Sequence, residues 1–259
     1  MDTQVLKVVL TPALVGTASL AGRYWGPAVS GWLVGLPFTS APVVFFLALD
    51  HGVEFAAAVA VGTLAGTVSQ AAFCVAYGWL ALWGGWPVAL AVGIVTFFAS
   101  TAMLQRLSLG FALLVAMVVA SLAVALRMMP EAGAVAPSKG SVLPRWDLPA
   151  RMIVATVFVL LLTGLARNLG PQLTGLLAPF PLYAAILTVF AHRLEGPGAA
   201  VLVLRGLLLG LFAFAGFFLV LALTIERMGM AVGFIAALAV TLALQAASLW
   251  VLRRTSASA

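Results

Sequence analysis

Runs of about twenty apolar residues, parted by short polar or glycine-bearing breaks, follow one another along nearly the whole chain. A helix needs roughly that length to cross a bilayer. About nine stretches satisfy it: residues 5–22, 29–49, 55–80, 87–104, 107–126, 150–166, 173–191, 199–225 and 230–251. The pattern predicts an all-α, polytopic membrane protein and leaves nothing over for a soluble domain. One extended polar stretch, 129–147, carries Pro130, Pro137, Gly140 and Pro144 among several charges and reads as a surface linker. Residues 1–22 resemble a secretory signal, with Lys7 ahead of an apolar run and a small-residue site at Ser19-Leu20-Ala21. Their counterpart lies inside the chain, so we read them as a membrane segment.

That counterpart belongs to an internal repeat. Shifting the sequence by about 144 residues lays Lys7 on Arg151, Arg23 on Arg167, Gly26-Pro27 on Gly170-Pro171, Gly31 on Gly175 and Pro37 on Pro181. The register continues with Gly52 on Gly196, Ala56 on Ala200, Gly62 and Gly66 on Gly206 and Gly210, Phe73 on Phe217, and Gly85 on Gly229. Glycines, prolines and charges make up many of these matches, so composition alone does not account for them. Each repeat holds four apolar stretches, and the fifth, 107–126, has no counterpart. Five crossings between equivalent points turn the second copy upside down, which predicts two inverted four-helix repeats related by a pseudo-two-fold axis in the membrane plane. The expected units are 1–106, the linking helix 107–128, the linker 129–147, and 148–259.

The second repeat carries Gly175-Leu176-Leu177-Ala178-Pro179-Phe180-Pro181, then Ala191-His192, Gly196 and Leu204-Arg205. In these residues it resembles the small bacterial GlpM-like membrane proteins, which are about one repeat long. The first repeat keeps Gly31 and Pro37 of the pattern but has Ala48 and Val61 where His192 and Arg205 stand. The resemblance implies a polytopic protein of the bacterial inner membrane, tandemly duplicated, and no particular activity.

Composition agrees with lipid as the solvent: 64% of the 259 residues are hydrophobic and 8% charged, against about 25% charged in soluble domains. The net charge of +6 is no nucleic-acid signal, because the bases stand singly at the ends of apolar runs and cluster only around Lys139 to Arg151, as membrane-surface anchors do. Lys7, Arg106, Arg167 and Arg227 fall on one side of a nine-span chain. Arg23, Arg127, Lys139, Arg145, Arg151, Arg193, Arg253 and Arg254 fall on the other, which favours a cytoplasmic C-terminus. Trp25, Trp79, Trp83, Trp86, Trp146 and Trp250 lie near span ends, as an interfacial belt requires. Cys74 is the single cysteine, and His51 and His192 lie far apart. Neither a disulfide nor a cysteine metal cage can form, and Asp50, His51 and Glu54 lack a fourth ligand for a metal site. No Walker loop, HExxH helix, nucleophile elbow or CxxC pair occurs, so neither catalytic residues nor a cofactor are assigned.

Chemistry is expected where the second stretch of each repeat is interrupted. Pro37 removes the hydrogen bond to the carbonyl of Leu33, and Pro181 does the same to Leu177. In hydrocarbon such carbonyls must find other partners, and paired interruptions in two halves point to a transport site. We assign Leu33, Pro37, Ser40, Gln70, Leu177, Pro181, Tyr183 and Arg205 to a solute path. Gly62, Gly66, Gly206 and Gly210 form small-residue faces for helix packing. Arg205 either bends back toward the interface and Glu195 or faces a cavity and meets an anion. Gln70, beside Ser69 and Thr67, either staples helices or lines the path. The expected function is an inner-membrane transporter or channel for a small polar or anionic solute, in contact with the lipid bilayer and open to a homodimer or a membrane-protein partner. The alternatives are a non-transporting scaffold or regulatory subunit of envelope biosynthesis, and a lipid translocase.

Overall fold

The computed structural model describes residues 8–9, 11–13, 32, 35–132 and 147–257, and among these the regular structure is helical throughout. Seven helices follow in order: α1 Ser40–His51, α2 Val53–Trp83, α3 Trp86–Gln105, α4 Phe111–Met128, α5 Asp147–Leu177, α6 Leu182–Glu195 and α7 Pro197–Ala257. Gly170 (φ 73°, ψ 166°) divides α5 into two legs, and Gly229 (φ 79°, ψ 169°) divides α7. Among the described residues five helices are long and apolar enough to cross a membrane: Val53–Trp83, Trp86–Leu104, Phe111–Met128, Met152–Leu177 and Pro197–Ala247. This is the helix set of a multi-pass membrane protein. Most of stretch 5–22, residues 23–31, and Leu33 with Val34 lie outside the described residues.

The helices begin and end close to the apolar runs, with one systematic difference. Stretches 29–49 and 173–191 are each broken, at 35–39 and at 178–181, so α1 and α6 are the second halves of interrupted helices. Proline is the cause, since it offers no N–H to the preceding turn.

Short turns at glycine join the neighbours. Gly52 (φ 88°, ψ 170°) separates α1 from α2, and Gly196 (φ 95°, ψ 177°) separates α6 from α7. This backbone region is open essentially to glycine alone. Beyond Gly196 the chain folds back, and Ala191 of α6 packs with Ala199 and Val203 of α7. Along α2, Gly62 approaches Gln172 and Gly175, Gly66 approaches Leu176 and Pro179, and Tyr77 reaches His192. The two sets of numbers rise together, so α2 and the broken helix from Gly170 to Glu195 run in the same direction.

The core lies between α2 and the first leg of α7, with Phe46, Phe73, Tyr77, Leu204, Leu207 and Phe218 fully buried. Helices α3 and α4 and the first leg of α5 turn much of their apolar surface outward: Val95, Met103, Leu113, Ile153 and Leu161 are all exposed. In lipid that surface has its proper solvent. At one end Trp83 is 84% exposed, the Trp79 indole donates to the Met128 carbonyl at 2.7 Å, and the Arg193 guanidinium lies 5.7 Å from the Trp86 ring centroid. Tryptophan and arginine gathered at helix ends are what a bilayer interface selects. The expected linker 129–147 begins in the interior, because Met129 and Pro130 are buried; residues 133–146 lie outside the described set.

Candidate functional site

The two helix breaks have the same hydrogen-bond pattern. The amide of Phe38 donates to the carbonyl of Leu36 at 2.8 Å, and that of Ala41 to Pro37 at 2.9 Å. At the equivalent places Leu182 donates to Phe180 at 2.7 Å and Ala185 to Pro181 at 2.7 Å. Each proline thus sits at the centre of an inverse γ-turn, and Pro181, at φ −78° and ψ 48°, has close to the ideal dihedrals. The ring fixes φ near the value this turn needs.

Such a turn displaces donors as well as removing one. Leu177 regains a partner locally, because Phe180 donates to its carbonyl at 2.9 Å. Leu182 has turned its N–H to Phe180, so the carbonyl of Ala178 loses its helical donor. The replacement comes from the other half of the chain: the Ser40 hydroxyl, one residue past the first break, donates to the Ala178 carbonyl at 2.8 Å. Both groups are buried, as are Pro37 and Pro181. The structure therefore brings Pro37, Ser40, Leu177 and Pro181 to one place, where the breaks of the two halves touch.

Each break is also seated on glycine from the opposite half. Gly62 and Gly66 of α2 abut Gln172, Gly175, Leu176 and Pro179, while Gly210 of α7 abuts Trp32 and Gly35. Leu176 and Pro179 are the repeat equivalents of Trp32 and Gly35, so the two contacts are reciprocal. Gly206 is buried on α7. Across the contact on α7's side, the Gln245 amide donates to the Trp32 carbonyl at 3.1 Å.

The other expected path residues are placed apart from the meeting point or have found partners. Arg205 is half-buried; its Nε donates to the Pro130 carbonyl at 3.2 Å and its Nη2 to the Met129 carbonyl at 2.9 Å. These carbonyls close the C-terminal end of α4, where cations are favoured. Tyr183 is half-buried in the first turn of α6. Gln70 is buried, and its Oε1 has no hydrogen-bond partner among the described residues. Its neighbour Ser69 accepts from Thr101 at 3.0 Å, and Thr67 donates back to the Thr63 carbonyl at 3.2 Å. Among the described residues no group of three His, Cys, Asp or Glu side chains is placed to hold a metal ion.

Two features of the site were not drawn from the sequence. Phe180, inside the second break, is enclosed by Phe97 at 5.2 Å edge-on, Phe98 at 5.7 Å stacked, and Phe158 at 6.3 Å between ring centroids. The Tyr77 hydroxyl and His192 Nδ1 lie 3.3 Å apart, tying α2 to the end of α6. The Pro179-Phe180-Pro181 run and the Phe97-Phe98 pair are the only sequence signals for the first. The second has none, because 115 residues separate the partners. No family model, curated protein or solved structure matches the chain.

Proposed function

We propose that the chain is a transporter or channel of the bacterial inner membrane, built as two inverted repeats, that passes a small polar or anionic solute between its two proline-broken helices. The hydrogen bond from Ser40 to Ala178 carries the proposal, because it joins the two breaks at one buried point. Unwound backbone from two halves meeting inside the membrane is how many transporters build a solute site. Inversion is supported by the direction of the helices. The broken helix 170–195 runs with α2, while α7 folds back from it at Gly196, so α2 and the first leg of α7 are opposed. The reciprocal seats of Gly66 on Leu176 and Gly210 on Trp32 support a pseudo-two-fold relation. Burial of Pro37, Pro181 and Ser40 corresponds to an occluded state, and opening requires the Ser40 bond to break.

The same burial favours one other reading, a packed scaffold in which the breaks only shape helix contacts. A single assay separates them. Proteoliposomes are challenged with acetate, phosphate or glycerol gradients and followed by stopped-flow light scattering. Permeation of at least one solute above protein-free vesicles, changed in rate by Ser40→Ala, is the expected result. Flux equal to empty vesicles for all three, with Pro37→Ala and Pro181→Ala equally silent, would refute transport of these solute classes and leave the scaffold. Inversion is tested with single cysteines at Glu54 and Pro197 in a Cys74→Ala background, since Gly52 and Gly196 do not tolerate a side chain. An impermeant thiol reagent should label the two from opposite sides of the membrane; labelling from one side would refute the inverted repeat.

A further inference from the structure

A lateral cleft of about 390 Å³ opens beside the seat of the second break, with which it shares Gly62, Gln172 and Leu176. Its floor is the face of α2 formed by Ala58, Val61, Gly62 and Ala65; Leu114 and Met117 of α4 form one wall and Leu176 the other. The cleft exists because α3 and α4, joined only by residues 106–110, scarcely touch each other. The hairpin they form is splayed. At a share of about 30 Å³ per water-sized group, the space admits about a dozen such groups.

Its two ends differ. Nearly every lining group is apolar, but Ser108 and Gln172 stand at the end where the α3–α4 loop closes over it. Arg106, exposed in that loop, lies between the lining residues Leu104 and Leu107. An apolar slot with a polar end, next to a loop that carries an exposed base, is complementary to an anionic phospholipid entering chain first. Water gains nothing from such walls, and an empty slot forfeits the contacts of its lining.

The matching face of the second repeat carries larger residues than the floor of the cleft. The counterparts of Ala58, Val61 and Ala65 are Leu202, Arg205 and Leu209, and Arg205 is engaged with the end of α4. The small residues that leave room along α2 are thus replaced by longer side chains on the matching face of α7. We infer that the cleft beside Gly62 holds one acyl chain of a membrane phospholipid, with its anionic head group at Arg106. None of the residues assigned to the solute path lines the cleft.

The test is native mass spectrometry of the full chain released from vesicles of equal parts phosphatidylglycerol and phosphatidylcholine. The wild-type chain should retain one phospholipid that the double variant Ala58→Leu/Ala65→Leu, which copies the second repeat, does not. Arg106→Gln should keep that lipid but lose about fivefold of the preference for phosphatidylglycerol, the effect of one basic residue at a membrane surface. Should the double variant fail to fold, Met117→Trp fills the cleft from the opposite wall and must have the same effect. Equal lipid retention in wild-type and filled variants overturns the inference. So does loss of a dimer in the filled variants with lipid unchanged, which would make a second copy the occupant. An unchanged head-group preference in Arg106→Gln overturns the assignment of the anionic end.

Discussion

Gly62→Ala probes how closely α2 and the second leg of α5 approach. A Cβ on Gly62 would stand 2.7 Å from the Gln172 carbonyl oxygen and 2.9 Å from the Cα of Gly175, where ordinary contact starts at 3.4 Å. Both obstacles are backbone, so no side chain can swing aside and the helices themselves must part. Forcing a methyl group into a packed contact costs about 1–3 kcal/mol. Alanine in place of glycine in a helix returns about 0.5–1 kcal/mol. Gly164→Ala isolates the second effect, because Gly164 is exposed on the first leg of α5 and its new methyl group would meet nothing within 4 Å. The difference between the two variants is therefore the packing cost, about 1–3 kcal/mol. At about 2–4 °C per kcal/mol for a chain of this size, Gly62→Ala should melt several degrees below Gly164→Ala. Gly210→Ala, whose methyl would meet the Trp32 carbonyl at 2.5 Å and the Gly35 Cα at 2.8 Å, should behave like Gly62→Ala. Thermal unfolding in nanodiscs, read by tryptophan fluorescence, measures all three. Equal shifts for Gly62→Ala, Gly210→Ala and Gly164→Ala would refute the close approach and with it the reciprocal seating of the breaks.

Three other outcomes follow from the geometry. Ser40→Ala strands the Ala178 carbonyl and should lower stability by about 1–3 kcal/mol, with Ser40→Thr recovering part of it; a neutral Ser40→Ala in the same melting assay would remove the bond between the breaks. Arg205→Met leaves the Met129 and Pro130 carbonyls unpaired and should cost about 1–3 kcal/mol, whereas Arg205→Lys, still able to donate, should cost less, and the reverse order would rule out the carbonyl clamp. Gly52→Ala and Gly196→Ala force alanine into positive φ at about 1–3 kcal/mol each, while Gly84→Ala, at φ −137°, should be near neutral. Similar losses at all three would mean that backbone conformation is not what fixes glycine at the hairpins.

The breaks were legible in the sequence because proline acts locally: Pro37 and Pro181 remove a donor whatever surrounds them. The ends of α2 and α3 and the start of α7 were legible for a related reason, since lipid tolerates a polar residue only where a span finishes. The partners were not. In a soluble helix one face is apolar and announces its contact, but in a bilayer the buried and lipid-facing sides are equally apolar. Val59 and Val95 look alike in sequence, although Val59 is fully buried and Val95 is 67% exposed. Arg205 illustrates the same gap. Its charge demanded a partner, and Glu195 was the near acid, yet the structure satisfies it with main-chain carbonyls of Met129 and Pro130. No side-chain chemistry at those two positions advertised the role. Gly62, Gly66 and Gly210 were recognisable as packing residues, but only the fold shows that each serves the opposite half.

The reciprocal seats also impose an order in time. Gly35 leaves the ribosome about 175 residues ahead of Gly210, its partner across the contact, which at ~5–20 residues per second is a wait of roughly 10–35 s. Throughout that interval the first half rests in the bilayer with a broken helix, unseated, and with the floor that the second half will cover still facing lipid. A newly made first half is thus a transient client of whatever holds unfinished membrane helices, and a chain cut short after α4 has nowhere to complete itself except against another copy of the same fragment.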